Sequence, residues 1–246
     1  YAGIDPVYEP IPVRPVVHYM MGGIDTNNTG ATSLPGLYAA GECACVSING
    51  ANRLGSNSLT ELLVFGSRAG KAAAQFALEN PHLDTDSLAL QTADEQKRIS
   101  RNFFRKEGGT ERIFTLRKEM NETMETSAGI YRSEKSLKET CNKIKELKDR
   151  FSNIIMEDKS FSFNTELTSA LELEFMLDVA EAISYSALER TESRGSHQRT
   201  DFPGRDDENF LKHSLAYQND IEPRIDYKDV VITKWPPGER VYGKEE

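Results

Sequence analysis

At Ser56 the sequence changes from a segment rich in glycine and proline to a long helical pattern, and this change limits the fold more than any other feature. Ser56 or Asn57 is a suitable N-cap for the helix, and Pro81 stops it because proline cannot continue a helix. We expect Gly66 and Gly70 to mark close packing of this helix against a neighbouring sheet. Apolar side chains recur at helical spacing: Leu59, Leu62, Leu63, Phe65, Ala69, Ala73 and Phe76.

The segment before this helix reads as strand and loop. Residues 1–55 contain two short β-type runs, PVVHYMM and GLYAAGE, separated by GGIDTNNTGATSLPG, which carries several turn signals. The second run is predicted to be a strand that ends at Glu42. It leads through a Gly-rich loop to the helix that starts at Ser56.

The remainder of the chain is predicted to be mostly helical. Residues 86–193 are charged, almost free of proline and helical in period, so they predict a three-helix bundle. The helices are expected near 87–125, 133–152 and 164–191. Asn164 or Thr165 is expected to cap the last of them. A short antiparallel pair is predicted at 212–218 and 226–233. The fold class is therefore α+β.

Composition excludes several classes of protein. The 246 residues carry a net charge of −9, and the basic residues are interleaved with acids, which argues against a nucleic-acid-binding surface. Apolar stretches fall short of the roughly 18 residues that span a bilayer, so membrane association would need a partner. Cys43, Cys45 and Cys141 are interpreted as reduced thiols of a cytosolic-type compartment in preference to metal ligands. No metal site is expected.

The stretch GANRLGSNSL, residues 50–59, precedes the long helix and is unusually rich in small and polar residues. A helix N-terminus presents unpaired N–H groups and about half a positive charge, so it suits an anion or an electron-rich carbonyl. Asn57 and Ser58 add side-chain donors. A well-capped helix behind a tight loop is the equally open alternative. The small residues that would let a flat ligand reach the backbone are Gly50, Ala51, Gly55 and Ser56.

Two side chains nearby are candidates for binding an anion. The planar fork of Arg53 suits a carboxylate held by two hydrogen bonds, although a surface salt bridge is the commoner role of a single arginine. His18 lies in HYMMGG, where Gly22 and Gly23 leave the backbone clear for a bulky group. A hydrogen-bonded structural histidine is the alternative.

Three motifs in order resemble the flavoprotein subunit of the succinate dehydrogenase and fumarate reductase family. They are PVRPVVHYMMGGIDT, GLYAAGECACVSINGANRLGSNSLTELLVFG and ALERTESRGSHQRTDFPGRDDENFLKH. The resemblance implies that residues 1–80 are the C-terminal part of an FAD-binding α/β domain. It further implies that residues 81–193 form the helical domain and residues 194–246 a loop and β tail.

The resemblance also implies roles for single residues. His18 and Arg53 match the family residues that bind a substrate carboxylate, and Glu42 matches the glutamate that hydrogen-bonds the FAD ribityl chain. Ser58 and Leu59 match positions whose backbone touches the pyrimidine edge of the isoalloxazine ring, with Ser56 and Asn57 adjacent. The implied reaction is hydride transfer between flavin N5 and the C2–C3 bond of succinate or fumarate.

Parts of the family pattern have no counterpart in this sequence: the N-terminal Rossmann motif, the histidine that carries covalent FAD, and the capping-domain arginine that shuttles the proton. We therefore expect a fragment whose remainder precedes Tyr1, with no catalytic proton-transfer residue of its own. Such a chain is expected to bind FAD weakly or not at all. The ending PPGERVYG resembles the fumarate reductases more than the succinate dehydrogenases.

The family pairs this subunit with an iron–sulfur subunit and membrane anchor subunits, which implies a peripheral location on the cytoplasmic face of the inner membrane. Two alternatives remain: an L-aspartate oxidase, which has similar motifs, and a non-catalytic assembly module. The charged segment from residue 192 to 213 is either a salt-bridged loop or a docking surface for the rest of the subunit or for the iron–sulfur subunit. Its alternating charges are Arg194, Arg199, Arg205, Asp201, Asp206 and Asp207.

Overall fold

The structure is a computed structural model that describes residues 3–81 and 85–238. The chain divides into two compact units, Tyr1–Pro81 and His82–Glu246. The fold is α+β, with helices and short strands, as predicted. Within the described ranges, no helix is long and apolar enough to cross a membrane.

The strands of the first unit lie later in the chain than predicted. β1 (Ile24–Asp25) pairs in parallel with β2 (Ala44–Cys45), and an isolated antiparallel bridge joins Ala31 to Tyr38. The prediction of strands in PVVHYMM and GLYAAGE was wrong. Among the residues described, PVVHYMM pairs with no neighbouring strand, and GLYAAGE makes only the single bridge at Tyr38.

The long helix of the first unit was predicted correctly. α1 (Asn57–Glu79) starts one residue after the predicted position and ends before Pro81. A Cβ at Gly66 or Gly70 would meet nothing within 4 Å in the described part of the chain, so the expected close packing at these glycines was wrong. The close approach lies at Gly30, where a Cβ would be 2.5 Å from the Cβ of Ala69.

The first helix predicted for the bundle is divided into two helices in the structure. α2 (Thr85–Ile99) continues into a π-helical segment (Ser100–Phe104), and α3 (Ile113–Ser127) begins only after a loop. The prediction of one helix over 87–125 was therefore wrong. The loop breaks the helix because Gly109 packs against the Ile154 backbone, where a Cβ would be 2.6 Å from the carbonyl oxygen.

α3, α4 (Glu134–Phe151) and α5 (Thr165–Glu189) pack as the expected three-helix bundle. Asn164 caps α5, since its side chain accepts a hydrogen bond from the Leu167 N–H at 2.7 Å. Ser133 caps α4 in a reciprocal box with Ser136. The buried apolar core is formed by Phe103, Ile113, Leu116, Met120, Ile144, Leu147, Ile154, Met156, Ala170, Leu173, Leu177 and Ala180.

Short elements complete the second unit. β3 (Tyr131–Arg132) pairs in parallel with β4 (Gln198–Arg199). After the four-residue α6 (Asp207–Phe210), β5 (Lys212–Tyr217) pairs antiparallel with β6 (Arg224–Asp229). The predicted antiparallel pair is confirmed, although its second strand starts two residues and ends four residues earlier than expected. The division of residues 81–246 into two domains stays a prediction.

Candidate functional site

The HYMMGG segment is held against the strand that follows Glu42. The Ile24 N–H donates to the Cys43 carbonyl at 2.9 Å. Gly23 has φ 127°, and a Cβ there would be 2.4 Å from the Cys43 carbonyl oxygen. Only glycine allows both this backbone conformation and this approach. The two motifs, far apart in sequence, are therefore joined at β1 and β2.

Glu42 makes a second link between the same segments. Its Oε1 accepts a hydrogen bond from the Met20 N–H at 3.0 Å. The side chain is exposed, and a carboxylate has about four acceptor positions in all, so this bond leaves capacity for another donor. Glu42 thus lies beside the backbone that carries His18.

Arg53 lies against the ring of Tyr19, the residue next to His18. Its Cζ is 4.6 Å from the Tyr19 ring centroid, a cation–π contact, and its Nη1 donates to the Leu54 carbonyl at 3.0 Å. The Arg53 Nε is buried and has no hydrogen-bond partner among residues 3–81 and 85–238. The alternative role of Arg53, a surface salt bridge, is not observed within these ranges.

A buried carboxylate accepts a hydrogen bond from the Tyr19 hydroxyl. Glu61, in α1, has 2% of its surface exposed. Its Oε2 accepts hydrogen bonds from the Tyr19 hydroxyl at 2.8 Å and from Asn49 Nδ2 at 2.6 Å. Burial, followed by the hydrogen bond to Glu61, raises the pKa of Tyr19 to about 12. The phenol therefore remains protonated and donates at any physiological pH.

Glu61, Tyr19 and Asn49 were not among the predicted site residues. One signal was present in the sequence, because Glu61 is the only charged residue in the apolar run SLTELLVF at the start of α1. Its partners lie 42 and 12 residues away, so the sequence alone does not indicate them.

The N-terminus of α1 has open backbone. Ser56 occupies the N-cap position with φ 67°, in the left-handed region, and within the described ranges no side chain caps this helix. The prediction of a Ser56 or Asn57 side-chain cap was wrong. The first turn contains no acidic residue. Asn57 and Leu59 are exposed and Ser58 is half-buried, which suits backbone contacts to a ligand.

The open space also extends over the loop before α1. A Cβ at Gly50 or Gly55 would meet no atom within 4 Å in the described chain, so nothing there blocks a flat group from the backbone. His18 is exposed. The structure thus joins His18, through Tyr19, to Arg53, and joins Glu42 to the same segment through Met20.

The charged segment at residues 192–213 is paired internally. Glu192 is fully buried and accepts from Arg190 Nη1 at 2.6 Å and from Arg194 Nε at 2.8 Å. Arg194 also pairs with Asp207 at 2.7 Å. Asp206 caps α6 by accepting from the Asn209 N–H at 3.0 Å. The predicted charge network is confirmed, and the docking role of this segment stays a prediction.

His197 lies inside this network and has one defined tautomer. Its Nε2 is 3.1 Å from the Arg190 carbonyl, and its Nδ1 is 2.9 Å from Arg132 Nη1. Since a carbonyl accepts and a guanidinium donates, Nε2 carries the proton. Burial lowers the pKa of His197 to about 4, so the ring is neutral at pH 7.

The three cysteines of the described chain, Cys43, Cys45 and Cys141, form no disulfide bonds. Over the described stretches, no group of three or more histidine, cysteine, aspartate or glutamate side chains could hold a metal ion.

Comparison with known families identifies the class of protein to which this site belongs. The family model described as "FAD binding domain" matches residues 1–59, so the first unit is part of a flavoprotein. The model described as "Fumarate reductase flavoprotein C-term" matches residues 117–242, more than half of the chain. The chain belongs to the fumarate reductase and succinate dehydrogenase flavoprotein family, a family of oxidoreductases that use FAD.

Individual relatives agree with this assignment. The chain is 56% identical over 248 residues to the fumarate reductase flavoprotein subunit of Mycobacterium tuberculosis, covering 99% of this chain and 42% of the relative. It is 40% identical over 262 residues to the succinate dehydrogenase flavoprotein subunit of Rickettsia bellii, covering 98% and 43%.

A solved structure of the FrdA chain of Escherichia coli quinol fumarate reductase matches with a TM-score of 0.94 and 44% identity. The match covers 100% of this chain and 42% of the FrdA chain. The chain therefore spans less than half the length of the relatives that it matches.

Proposed function

We propose that the full flavoprotein subunit that carries this chain interconverts fumarate and succinate, and that this chain binds one carboxylate of the substrate. The single observation that carries the proposal is the guanidinium of Arg53. It lies over the Tyr19 ring, with Cζ 4.6 Å from the ring centroid, and its Nε has no acceptor in the described ranges. The side chain is half-buried, so a substrate can reach the guanidinium, and a carboxylate would form charge-assisted hydrogen bonds with it.

His18 is proposed to bind the same carboxylate. His18 directly precedes Tyr19, so the segment that contacts the Arg53 guanidinium also positions the backbone of His18. The ring is exposed and can donate a hydrogen bond in either the neutral or the protonated form. Together the two side chains would orient the dicarboxylate and draw electron density toward the bound carboxylate. The carbon at the far end of the C2–C3 bond then becomes electrophilic.

The open backbone at α1 fits FAD. Ser56, Asn57, Ser58 and Leu59 are proposed to contact the pyrimidine edge of the flavin, where the uncapped N–H groups of the first helical turn suit negative charge. Glu42 is proposed to accept a hydrogen bond from the ribityl chain with the acceptor positions that Met20 leaves free. FAD, when bound, supplies the hydride acceptor or donor at N5.

Proton transfer is assigned outside this chain. The phenol of Tyr19 contacts Arg53, but its raised pKa and its hydrogen bond to Glu61 make it a poor base at neutral pH. An iron–sulfur subunit and membrane anchor subunits are the proposed partners, with the complex on the cytoplasmic face of the inner membrane. The relative described as a quinol fumarate reductase supports this assembly.

An assay of the full subunit with fumarate, succinate and L-aspartate tests the reaction. We expect turnover of both C4 dicarboxylates and none of L-aspartate. Exclusive turnover of L-aspartate would replace this function with that of an L-aspartate oxidase. Absence of all three activities in a preparation that contains FAD would favour a non-catalytic role.

Arg53→Ala tests the carboxylate role within the same assay. We expect turnover to fall by about a hundredfold or more, because an electrostatic contact to the reacting substrate is lost, with FAD still bound. Arg68→Ala is the matched control. Arg68 is a positive side chain of α1 that also lies over an aromatic ring, with its Cζ 5.3 Å from the Phe65 ring centroid. Equal activity of the two variants would refute the role of Arg53.

A further inference from the structure

Glu61 is a buried acid to which the proposed reaction gives no direct role. It has 2% of its surface exposed and lies near the start of α1, an apolar helix whose only other buried residue is Ala69 in the described chain. Burying a carboxylate costs free energy unless hydrogen bonds replace its water shell. The two hydrogen bonds that Glu61 accepts must therefore offset the cost of burying it.

Those two hydrogen bonds come from two different segments and converge on one atom. The Tyr19 hydroxyl reaches Oε2 of Glu61 at 2.8 Å, and Asn49 Nδ2 reaches the same oxygen at 2.6 Å. Tyr19 belongs to the segment that begins with His18. Asn49 belongs to the loop that leads to Arg53. One oxygen of Glu61 thus joins both segments that carry the proposed carboxylate-binding residues.

The contact between Tyr19 and Arg53 extends this link to the guanidinium. The Arg53 Cζ is 4.6 Å from the ring centroid, so the orientation of the ring sets the plane against which the guanidinium lies. The hydroxyl of Tyr19 points in turn to Glu61, which restricts rotation of the ring away from Arg53. Among the described residues, the only side-chain hydrogen bond of Arg53 is the one that it donates to the neighbouring Leu54 carbonyl.

We propose that Glu61 is a positioning residue that, through Tyr19 and Asn49, holds Arg53 and His18 in the geometry that binds a dicarboxylate. This inference rests on the proposed function and deepens it. Glu61 touches neither substrate nor flavin in this role. Its Oε2 holds the Tyr19 hydroxyl at the edge of the ring that lies against Arg53, so it opposes movement of this ring away from the guanidinium.

The test uses the full subunit with FAD bound and measures the Kd of malonate, a dicarboxylate without a C2–C3 bond to oxidise, from the change in flavin absorbance. Tyr19→Phe removes the hydroxyl and keeps the ring, whereas Glu61→Gln keeps the shape and removes the charge. Each is expected to weaken malonate binding about three- to tenfold, the range for the net loss of one ordinary hydrogen bond.

A double-mutant cycle distinguishes positioning from general loss of structure. If Tyr19 and Glu61 act through one hydrogen bond, the double variant binds malonate no more weakly than the weaker-binding single variant. Glu79→Gln is the matched control, because it makes the same change at the exposed end of α1, where Glu79 Oε1 accepts a hydrogen bond from Gln75 Nε2 at 2.6 Å. It is expected to leave the malonate Kd unchanged.

Three outcomes decide the matter. Weaker malonate binding in Tyr19→Phe and Glu61→Gln, with unchanged FAD content and thermal midpoint, supports the proposal. Unchanged malonate binding in both variants, while Arg53→Ala abolishes it, overturns the role of Glu61 and leaves the proposed function intact. Retained malonate binding in Arg53→Ala overturns the proposed function itself.

Discussion

Arg199 and Asp201 form a two-pronged ion pair in which Arg199 Nε and Nη2 reach the two carboxylate oxygens at 2.8 and 2.9 Å. The Arg199 side chain is fully buried, and its Nη1 donates to three carbonyls at the end of α5: Ala187, Leu188 and Arg190. Asp201 accepts from the Glu134 N–H at the start of α4, at 2.7 Å. One ion pair therefore satisfies the negative end of one helix and the positive end of another.

Arg199→Lys is expected to destabilise the chain by about 3 kcal/mol or more, because an ammonium cannot make the two-pronged contact and leaves buried carbonyls unpaired. Denaturant unfolding followed by circular dichroism measures the change. Arg224→Lys is the matched control, since the pair of Arg224 with Asp226 is exposed at 3.2 Å. The control is expected to change stability by less than about 0.5 kcal/mol. Similar losses in both variants would contradict the importance of the buried pair.

Glu119 is expected to make the second unit sensitive to acid. Hydrogen bonds from Arg150 and then Lys143 lower the pKa of Glu119 to about 2, from an ordinary value of 4.5. The folded state thus binds fewer protons than the unfolded state between these values. The stabilisation is complete above pH 4.5 and is lost as the pH falls toward 2.

Glu119→Gln is therefore expected to reduce the slope of unfolding free energy against pH in this window, by at most about 1.4 kcal/mol per pH unit. Chemical unfolding at a series of pH values measures it. Glu122→Gln serves as control, because Glu122 is exposed and its ion pair is long, with 3.8 Å between Oε1 and Lys118 Nζ. An unchanged slope for Glu119→Gln would show that its ion pairs do not differ between folded and unfolded states.

Gly22 and Gly23 allow a matched test of the junction between the two motifs. Both have positive φ, at 124° and 127°, so alanine is strained at either position. Only at Gly23 would the Cβ also collide with the Cys43 carbonyl, at 2.4 Å. Gly23→Ala is expected to lower the thermal midpoint and FAD content of the full subunit more than Gly22→Ala. The same loss in both would mean that backbone strain alone accounts for the effect.

The isolated chain is expected to bind FAD weakly or not at all. It supplies open backbone at α1 and the Glu42 carboxylate, but the FAD-binding model matches only residues 1–59, and the chain covers 42% of a family relative. One wall of a site gives too few contacts to offset the free energy lost on immobilising a ligand. Gel filtration of the purified chain with FAD, followed by flavin absorbance, measures binding. A stoichiometric flavin band would refute this expectation.

Local physics determined the parts of the fold that the sequence predicts well. Apolar periodicity and Pro81 set the limits of α1 to within two residues, and Asn164 marks the start of α5 because capping needs only neighbours in sequence. The β5–β6 pair follows from alternation around a turn. The sequence also indicated the types of residue at the candidate site: a histidine, an arginine and a Gly-rich helix start.

Tertiary structure decided the rest, because the responsible contacts join residues far apart in the chain. Strand positions depend on the pairing of Ile24 with Ala44, and the break before α3 depends on Gly109 packing against Ile154. The link between Tyr19 and Glu61 spans 42 residues, and neither side chain has a local pattern that specifies its partner. The sequence determined which groups are available for binding a carboxylate, whereas long-range packing decided which buried acid supports them.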